Sequence, residues 1–331
     1  MTALGTAKPY IIAEIGSNWS TLNDAVQSIA QAKAAGADAV KFQAFDMEAL
    51  YGMKPGTLPD HLRGRGIDMP TYWLPLAWLP KLKEKADACG IELLCTAFSP
   101  ELVAAVDPFV TAHKIASSDA TWPQLLSAVA ACGKPVLLST GAKNLVEIEH
   151  ALRFCPTLSP TYLLYCVSAY PARMVNLVEM TVLAQRFKRR VGFSDHTLDI
   201  VGAPYQAVLA GACVIEKHFT AFPEMDTPDR PHSLKPDEFH LMVQYLRGER
   251  RPEIAPKIEE RDTVLRHNRR LVATRDIAEG EELRYGVNFG AYRALHDDTR
   301  GLSPFAWELV EGKRAAGEIA RGAGIGPGDI A

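Results

Sequence analysis

The sequence predicts a (β/α)8 barrel followed by a small β-rich module, and three observations carry that prediction. Between Pro9 and Leu246, short apolar runs alternate with amphipathic helical stretches, and the alternation completes eight times. A barrel of this kind takes roughly 250 residues, which is the room available there. Beyond it, Pro252 to Lys257 is rich in Pro, Glu and Lys and reads as a linker. A doubly wound open sheet is the runner-up, but no G-x-G-x-x-G follows the first strand and no P-loop is found. The chain therefore divides into a barrel over 1–250, a linker over 251–266 and a module over 267–331.

Tyr10-Ile11-Ile12-Ala13-Glu14 is the first strand, and its helix runs from Leu22 to Ala35, where Gly36 stops it. Ala39-Val40-Lys41-Phe42-Gln43 is the second. The segment after it holds Pro55, Pro59, Pro70 and Pro75, and a connection of that length in a compact domain suggests an active-site cover. Trp78 to Cys89 resumes as helix, with Pro80 tolerated in the first turn. Strand three is Ile91 to Thr96, and a short helix from Pro100 to Val106 leads to Ala112-His113-Lys114-Ile115. The fifth strand, Pro135 to Ser139, follows a helix over Trp122 to Ala131, and the sixth, Thr161 to Cys166, follows one over Leu145 to Phe154. Leu177 to Phe187 then leads to Arg190-Val191-Gly192-Phe193 and, after another helical stretch, to Ala212-Cys213-Val214-Ile215.

The composition is that of an ordinary enzyme: 331 residues, net charge −3 and 47% hydrophobic residues. Lys188-Arg189-Arg190 and Arg269-Arg270 are too short for a nucleic-acid surface and read as solvated faces. No apolar run has membrane-spanning length and the first five residues lack signal-peptide character, so a cytoplasmic protein is expected. The 6 cysteines, Cys89, Cys95, Cys132, Cys155, Cys166 and Cys213, show no C-x-x-C spacing and are expected to be buried thiols.

In a barrel, chemistry gathers at the C-terminal ends of the strands. The polar residues there are Glu14, Lys41 with Gln43, Thr96, Lys114 with Ser117, Ser139 with Thr140, Ser168 with Tyr170, Ser194 with Asp195 and His196, and Glu216 with His218. His196 and His218, on neighbouring strands, form a candidate divalent-metal pair that leaves coordination positions open, as Lewis-acid catalysis requires. Lys41 and Lys114, with the hydroxyls of Thr96, Ser117, Ser139 and Ser194, suit a small, highly charged anion such as the phosphate ester of a carboxylic acid. Glu14, Asp119, Asp195 and Glu216 are the candidates for proton transfer or for binding hydroxyls. The tail, from Arg269-Arg270-Leu271-Val272-Ala273 through Ile325-Gly326-Pro327-Gly328-Asp329-Ile330, reads as short strands and turns, a module too small to be more than marginally stable alone.

With these residues in hand, the chain resembles the N-acetylneuraminate (sialic acid) synthase family. The matching segments are Ile12-Ala13-Glu14-Ile15-Gly16, Gly36 to Gln43, Lys114-Ile115-Ala116-Ser117, Gly133 to Gly141, Ser168-Ala169-Tyr170-Pro171, Gly192 to Thr197, Val214 to Thr220 and Ser233 to Glu238. The tail matches through Arg269 to Ala273 and Asp276-Ile277. The resemblance implies condensation of phosphoenolpyruvate (PEP) with an aldose, here an N-acetylhexosamine-like acceptor, and a C-terminal SAF (antifreeze-like) domain. It implies Mn²⁺ or Mg²⁺ at His196 and His218 and PEP at Lys41, Thr96, Lys114, Ser117, Ser139 and Ser194. It also implies an acceptor facing Glu14, Gln43, Asp119, Tyr170 and Asp229. A domain-swapped homodimer is implied too, in which the SAF domain covers the partner's active site and Arg293 reaches the sugar.

Departures from the family pattern fall on the acceptor side. Gly16-Ser17-Asn18-Trp19-Ser20, Thr96-Ala97-Phe98, Asp119 and Thr227-Pro228-Asp229-Arg230 all differ, so N-acetylmannosamine itself is not the expected acceptor. Two other functions stay open: a class II type aldolase or lyase on a keto-deoxy sugar acid, and a non-catalytic protein that binds sugar acids.

Overall fold

Side chains along each strand of the first unit alternate between two destinations, and that alternation builds the barrel. In β1 (Tyr10–Gly16), Tyr10 and Ile12 join an inner apolar cluster with Ala39, Leu94, Ala112, Leu137, Tyr162, Leu164 and Val214. Ile11, Ala13 and Ile15 join a second cluster with buried side chains of the surrounding helices. The same division runs through β2 (Ala39–Ala44), β3 (Glu92–Ala97), β4 (His113–Ile115), β5 (Val136–Ser139), β6 (Thr161–Tyr165), β7 (Val191–Asp195) and β8 (Val214–His218). All pair in parallel in sequence order, and β8 closes on β1 through Tyr10 opposite Val214 and Glu14 opposite His218. The computed structural model describes residues 8–53, 70–155, 159–250, 268–293 and 301–331.

Helices form where the apolar period changes from two to 3.6 and a cap is available. In α1 (Leu22–Ala34) Thr21 and Asp24 make a reciprocal capping box, and Ala25, Ile29 and Ala32 supply the buried stripe. A short α2 (Met47–Tyr51) follows β2, and α3 (Leu79–Cys89) carries Pro80 in its first turn and ends at Gly90 in the left-handed conformation. Ser99 caps α4 (Pro100–Val106), Pro123 opens α5 (Pro123–Ala131), and Asn144 makes a second capping box on α6 (Leu145–Phe154). The series is completed by α7 (Val178–Phe187), α8 (Gly202–Leu209) and α9 (Pro236–Leu246). Each fully buried Ile, Leu or Phe in the outer cluster contributes about 1.5–3 kcal/mol, so these faces hold the helices to the barrel.

The chain separates into two compact units, Met1–Pro252 and Glu253–Ala331. In the second, β9 (Arg270–Ala273) pairs antiparallel with β10 (Phe289–Tyr292). Its own small core contains Leu271, Ile277, Leu283, Phe289, Val310 and Ile325, and isolated bridges such as Val272 to Gly324 and Ala315 to Ile330 tie its ends together. The 251–266 linker and most of the expected cover, residues 54–69, lie outside the described residues. All six cysteines are free thiols, and among the described residues no helix is long and apolar enough to cross a membrane.

Candidate active site

The inward-facing positions change from apolar to polar toward the C-terminal ends of the strands, and there they enclose a cavity of about 480 Å³. Register fixes who meets whom. Glu14 stands opposite Lys41 on one side and His218 on the other, Gln43 opposite Thr96, Thr96 opposite Lys114, and Ser194 opposite Glu216. The lining includes Glu14, Lys41, Gln43, Thr96, Lys114, Ser117, Ser139, Tyr170, Ser194, His196, Glu216, His218 and Asp229. Two glycines make room for it. Gly141 donates its N–H to Ser117 Oγ at 2.9 Å, and a Cβ there would come within 2.5 Å of Cys166 Sγ and Ser168 Oγ. Gly16 has φ +55 and a Cβ on it would strike Asp229 Oδ2 at 2.1 Å, so only glycine lets Ser17 N–H donate to that oxygen at 2.8 Å.

One charge network spans the floor. Lys41 Nζ lies 2.7 Å from Glu14 Oε2, donates to Thr96 Oγ1 at 2.9 Å, and approaches Glu216 Oε1 at 3.9 Å. Lys114 Nζ is 3.7 Å from the same Glu216 oxygen, to which Ser194 Oγ donates at 2.9 Å. Burial pushes Glu14 up to about 7; Lys41 opposes that and the neighbouring Glu216 adds to it, while Gln43 holds its other oxygen at 2.6 Å. Burial also works against charge on Lys41 and Glu216, but the opposite charges around them prevail, so the lysine is raised and the carboxylate lowered. Lys114 is lowered by burial. Glu14 is thus the carboxyl able to carry a proton near neutral pH.

In the same cavity the imidazoles gather. His196 and His218 have ring centroids 5.7 Å apart, and burial lowers His196 to about 4 and His218 well below its ordinary value, so both are neutral at pH 7. His196 Nδ1 bonds the Val167 carbonyl at 2.8 Å, which makes it the donor and leaves the Nε2 lone pair for the cavity. His218 Nδ1 is buried without a hydrogen-bond partner, as are Ser139 Oγ and Glu216 Oε2. Neutral imidazoles with free lone pairs are the form that binds a divalent cation, so the donor set fits one. Tyr170 stacks on His196 at 4.1 Å. Burial and nearby acids push the Tyr170 hydroxyl far above its usual range.

Two residues expected at the site, Asp195 and Asp119, do not line the cavity. Asp195 falls one position after inward-facing Ser194 and points outward, where Lys217 Nζ meets it at 2.7 Å. That lysine also donates to Thr197 O and Asp199 O, so the pair braces the β7–α8 connection and does not line the cavity. Asp119 ends a single 3-10 turn, accepts from Ser118 Oγ at 2.6 Å, and is half-buried without lining the cavity. Arg293 is an exposed residue of the second unit. Conversely, His232 and Cys166 line the cavity though no sequence signal assigned them a site role, and Phe98 and Pro228 line it from two of the segments that depart from the family pattern. A period-two count along β7 would have separated Ser194 from Asp195, and along β6 would have placed Cys166 inward after Leu164. His232 sits in an irregular loop that no period describes.

Such a cavity, which brings paired ammonium groups and neutral imidazoles together at the C-terminal mouth of a barrel, has the make-up of an enzyme active site. The NeuB family model matches residues 28–251, and the chain belongs to that family. It is 35% identical over 328 residues to the N,N'-diacetyllegionaminic acid synthase of Campylobacter jejuni, across 93% of this chain and 96% of that protein. With the pseudaminic acid synthase of Helicobacter pylori it shares 30% identity across 93% of this chain and 94% of the other. Among solved structures, the sialic acid synthetase of Leptospira borgpetersenii superimposes with a TM-score of 0.66 at 30% identity, covering 78% of this chain and 91% of that one.

Proposed function

We propose that the protein condenses PEP with an aldose to give a nonulosonic, sialic-acid-like 2-keto-3-deoxy sugar acid and phosphate, in a metal-dependent reaction. One observation supports this most: Lys41 and Lys114 share the single carboxylate Glu216 within 3.9 Å, in one cavity with unpartnered Ser139 Oγ and two neutral imidazoles. Groups for an anion and groups for a carbonyl thus share one cavity. The matched relatives, named as legionaminic, pseudaminic and sialic acid synthases, support the same product class.

In this reading the two ammonium groups, with Thr96, Ser117, Ser139 and Ser194, hold the phosphate and carboxylate of PEP and align its C3 with the acceptor carbon. A divalent cation, Mn²⁺ or Mg²⁺, held by His196 and His218 would polarise the acceptor's carbonyl oxygen. C3 forms the new bond to the aldehyde carbon, and Glu14 supplies the proton to the oxygen that becomes a hydroxyl. A water oxygen adds at the electron-poor C2 so left, one of its protons returning to Glu14; the C2–O bond to phosphate then breaks, its electron pair and the second water proton leaving with the phosphate, and a ketone remains at C2. Gln43, Tyr170 and Asp229 line the acceptor side.

The second unit, in the same proposal, is a SAF module that caps the cavity of a partner chain in a swapped dimer and presents Arg293 to the sugar. Purified protein incubated with PEP, Mn²⁺ and a panel of aldoses should release phosphate with one acceptor class strongly preferred. Pyruvate formed from a 2-keto-3-deoxy sugar acid, with no phosphate released from PEP, would replace condensation by the lyase reading.

A further inference from the structure

His232 lies in the loop after β8, between Pro228 and α9, and its side chain reaches into the cavity, where it is 8% exposed. Its ring stands 4.5 Å from that of His218 and 5.2 Å from that of Tyr170. Its Nε2 comes within 3.3 Å of Asp229 Oδ1 but without hydrogen-bond alignment, so the nitrogen is buried and unpartnered, like His218 Nδ1 beside it. Two neighbouring buried imidazoles with unpartnered nitrogens, facing one carboxylate, form an unsatisfied group unless something electropositive stands between them.

The set has the dimensions of a coordination sphere. One ligand atom from each of His218, Asp229 and His232 lies within 4.8 Å of the others. Ligand atoms at about 2.0–2.2 Å from a shared cation stand at most about 4.4 Å apart, so closure requires shifts of well under 1 Å. Ser17 N–H fixes the other Asp229 oxygen at 2.8 Å, which leaves Oδ1 directed at the imidazoles. His232 itself is backed by the 3-10 turn that holds it, whose Asp229 carbonyl also accepts from Ser233 Oγ at 2.7 Å.

We propose that His232 is a metal ligand of this protein, a third imidazole added to His196 and His218, with Asp229 as the oxygen ligand on its side; His196 lies outside the 4.8 Å set and has to move inward to share the ion. This rests on the reading that the cavity holds a divalent cation. An imidazole-rich sphere disfavours Mg²⁺, which prefers all-oxygen ligands, and favours Mn²⁺ and the later transition metals. The chain is therefore expected to discriminate strongly between the two ions.

The test uses metal-stripped full-length protein, titrated with Mn²⁺ and with Mg²⁺ by calorimetry, and pulsed electron paramagnetic resonance of bound Mn²⁺ to count coordinated nitrogens. Three nitrogens in the unaltered protein, two in His232→Gln, and a rise of at least tenfold in the Mn²⁺ Kd of that variant are expected, since removing even outer-shell partners costs about 10–100-fold. Two nitrogens in the unaltered protein overturn the proposal without any variant having to fold. Unchanged Kd in His232→Gln, with thermal unfolding like that of the unaltered metal-free protein, also overturns it. Phosphate release is followed in parallel. If Mn²⁺ binds through three nitrogens but no aldose supports turnover, His232 stands as a ligand and the proposed reaction falls. Turnover without any bound Mn²⁺ overturns the ligand assignment and leaves the condensation.

Discussion

Protons and metal compete for His196 and His218, and burial decides when. An ordinary imidazole begins to lose metal as pH falls through about 6.5, whereas His196 stays neutral down to about 4. Mn²⁺ affinity is therefore expected to be nearly flat from pH 8 to 5 and to fall only below that. A decline beginning near pH 7 would show that these rings are solvated. Glu14 works in the opposite sense on stability. In the metal-free protein its folded value, about 7, exceeds its ordinary value of 4.5, so between those pH values the folded chain keeps a proton that the unfolded chain has lost. Its contribution is complete below 4.5 and is lost as pH rises to 7, by about 3 kcal/mol. Chemical denaturation of Glu14→Gln, whose amide stands in for the protonated carboxyl, should show the variant gaining stability relative to the unaltered protein as pH rises from 4.5 to 7. Most cavity-lining residues were legible at this scale because inward strand positions recur every second residue. Asp195 turns outward because it stands one residue past inward-facing Ser194, and Asp119 ends a 3-10 turn, where the strand period no longer applies.

Between β7 and α8 the outward pair Asp195–Lys217 is wholly buried and saturated by loop carbonyls, so it belongs to the fold and not to the chemistry. Lys217→Met would leave a buried unpaired carboxylate, and about 3–5 kcal/mol of stability should be lost in urea denaturation. PEP affinity of whatever remains folded should change little, because the cavity-facing Ser194 and Glu216 alternate with the altered position. A large loss of PEP affinity at unaltered stability would restore Asp195 to the site. The helices were readable from caps and stripes, as Thr21 and Asn144 show, and strand ends were displaced by a residue or two. Thus β8 extends to His218, making that histidine part of the strand instead of the loop after it. The loop carrying His232 has neither periodicity nor a cap signal, and only tertiary packing against His218 gives it meaning.

At the scale of the whole molecule, the barrel was legible because eight repeats of one pattern reinforce each other, while the second unit offers only short strands and turns around a small core. If that unit caps the cavity of a partner chain, co-expression of His218→Ala and Arg293→Glu chains should generate mixed dimers with one intact site. Statistical assembly then gives roughly a quarter of full activity from two defective parents. No gain on mixing would mean that each chain completes its own site.

The bond of PEP that breaks distinguishes condensation from its alternatives most directly. With ¹⁸O in the oxygen that bridges C2 and phosphorus, mass spectrometry of the products of turnover should find the label in the released phosphate, together with a keto-deoxy acid extended by the three carbons of PEP. Label retained in the organic product, or pyruvate in place of the extended acid, would contradict it.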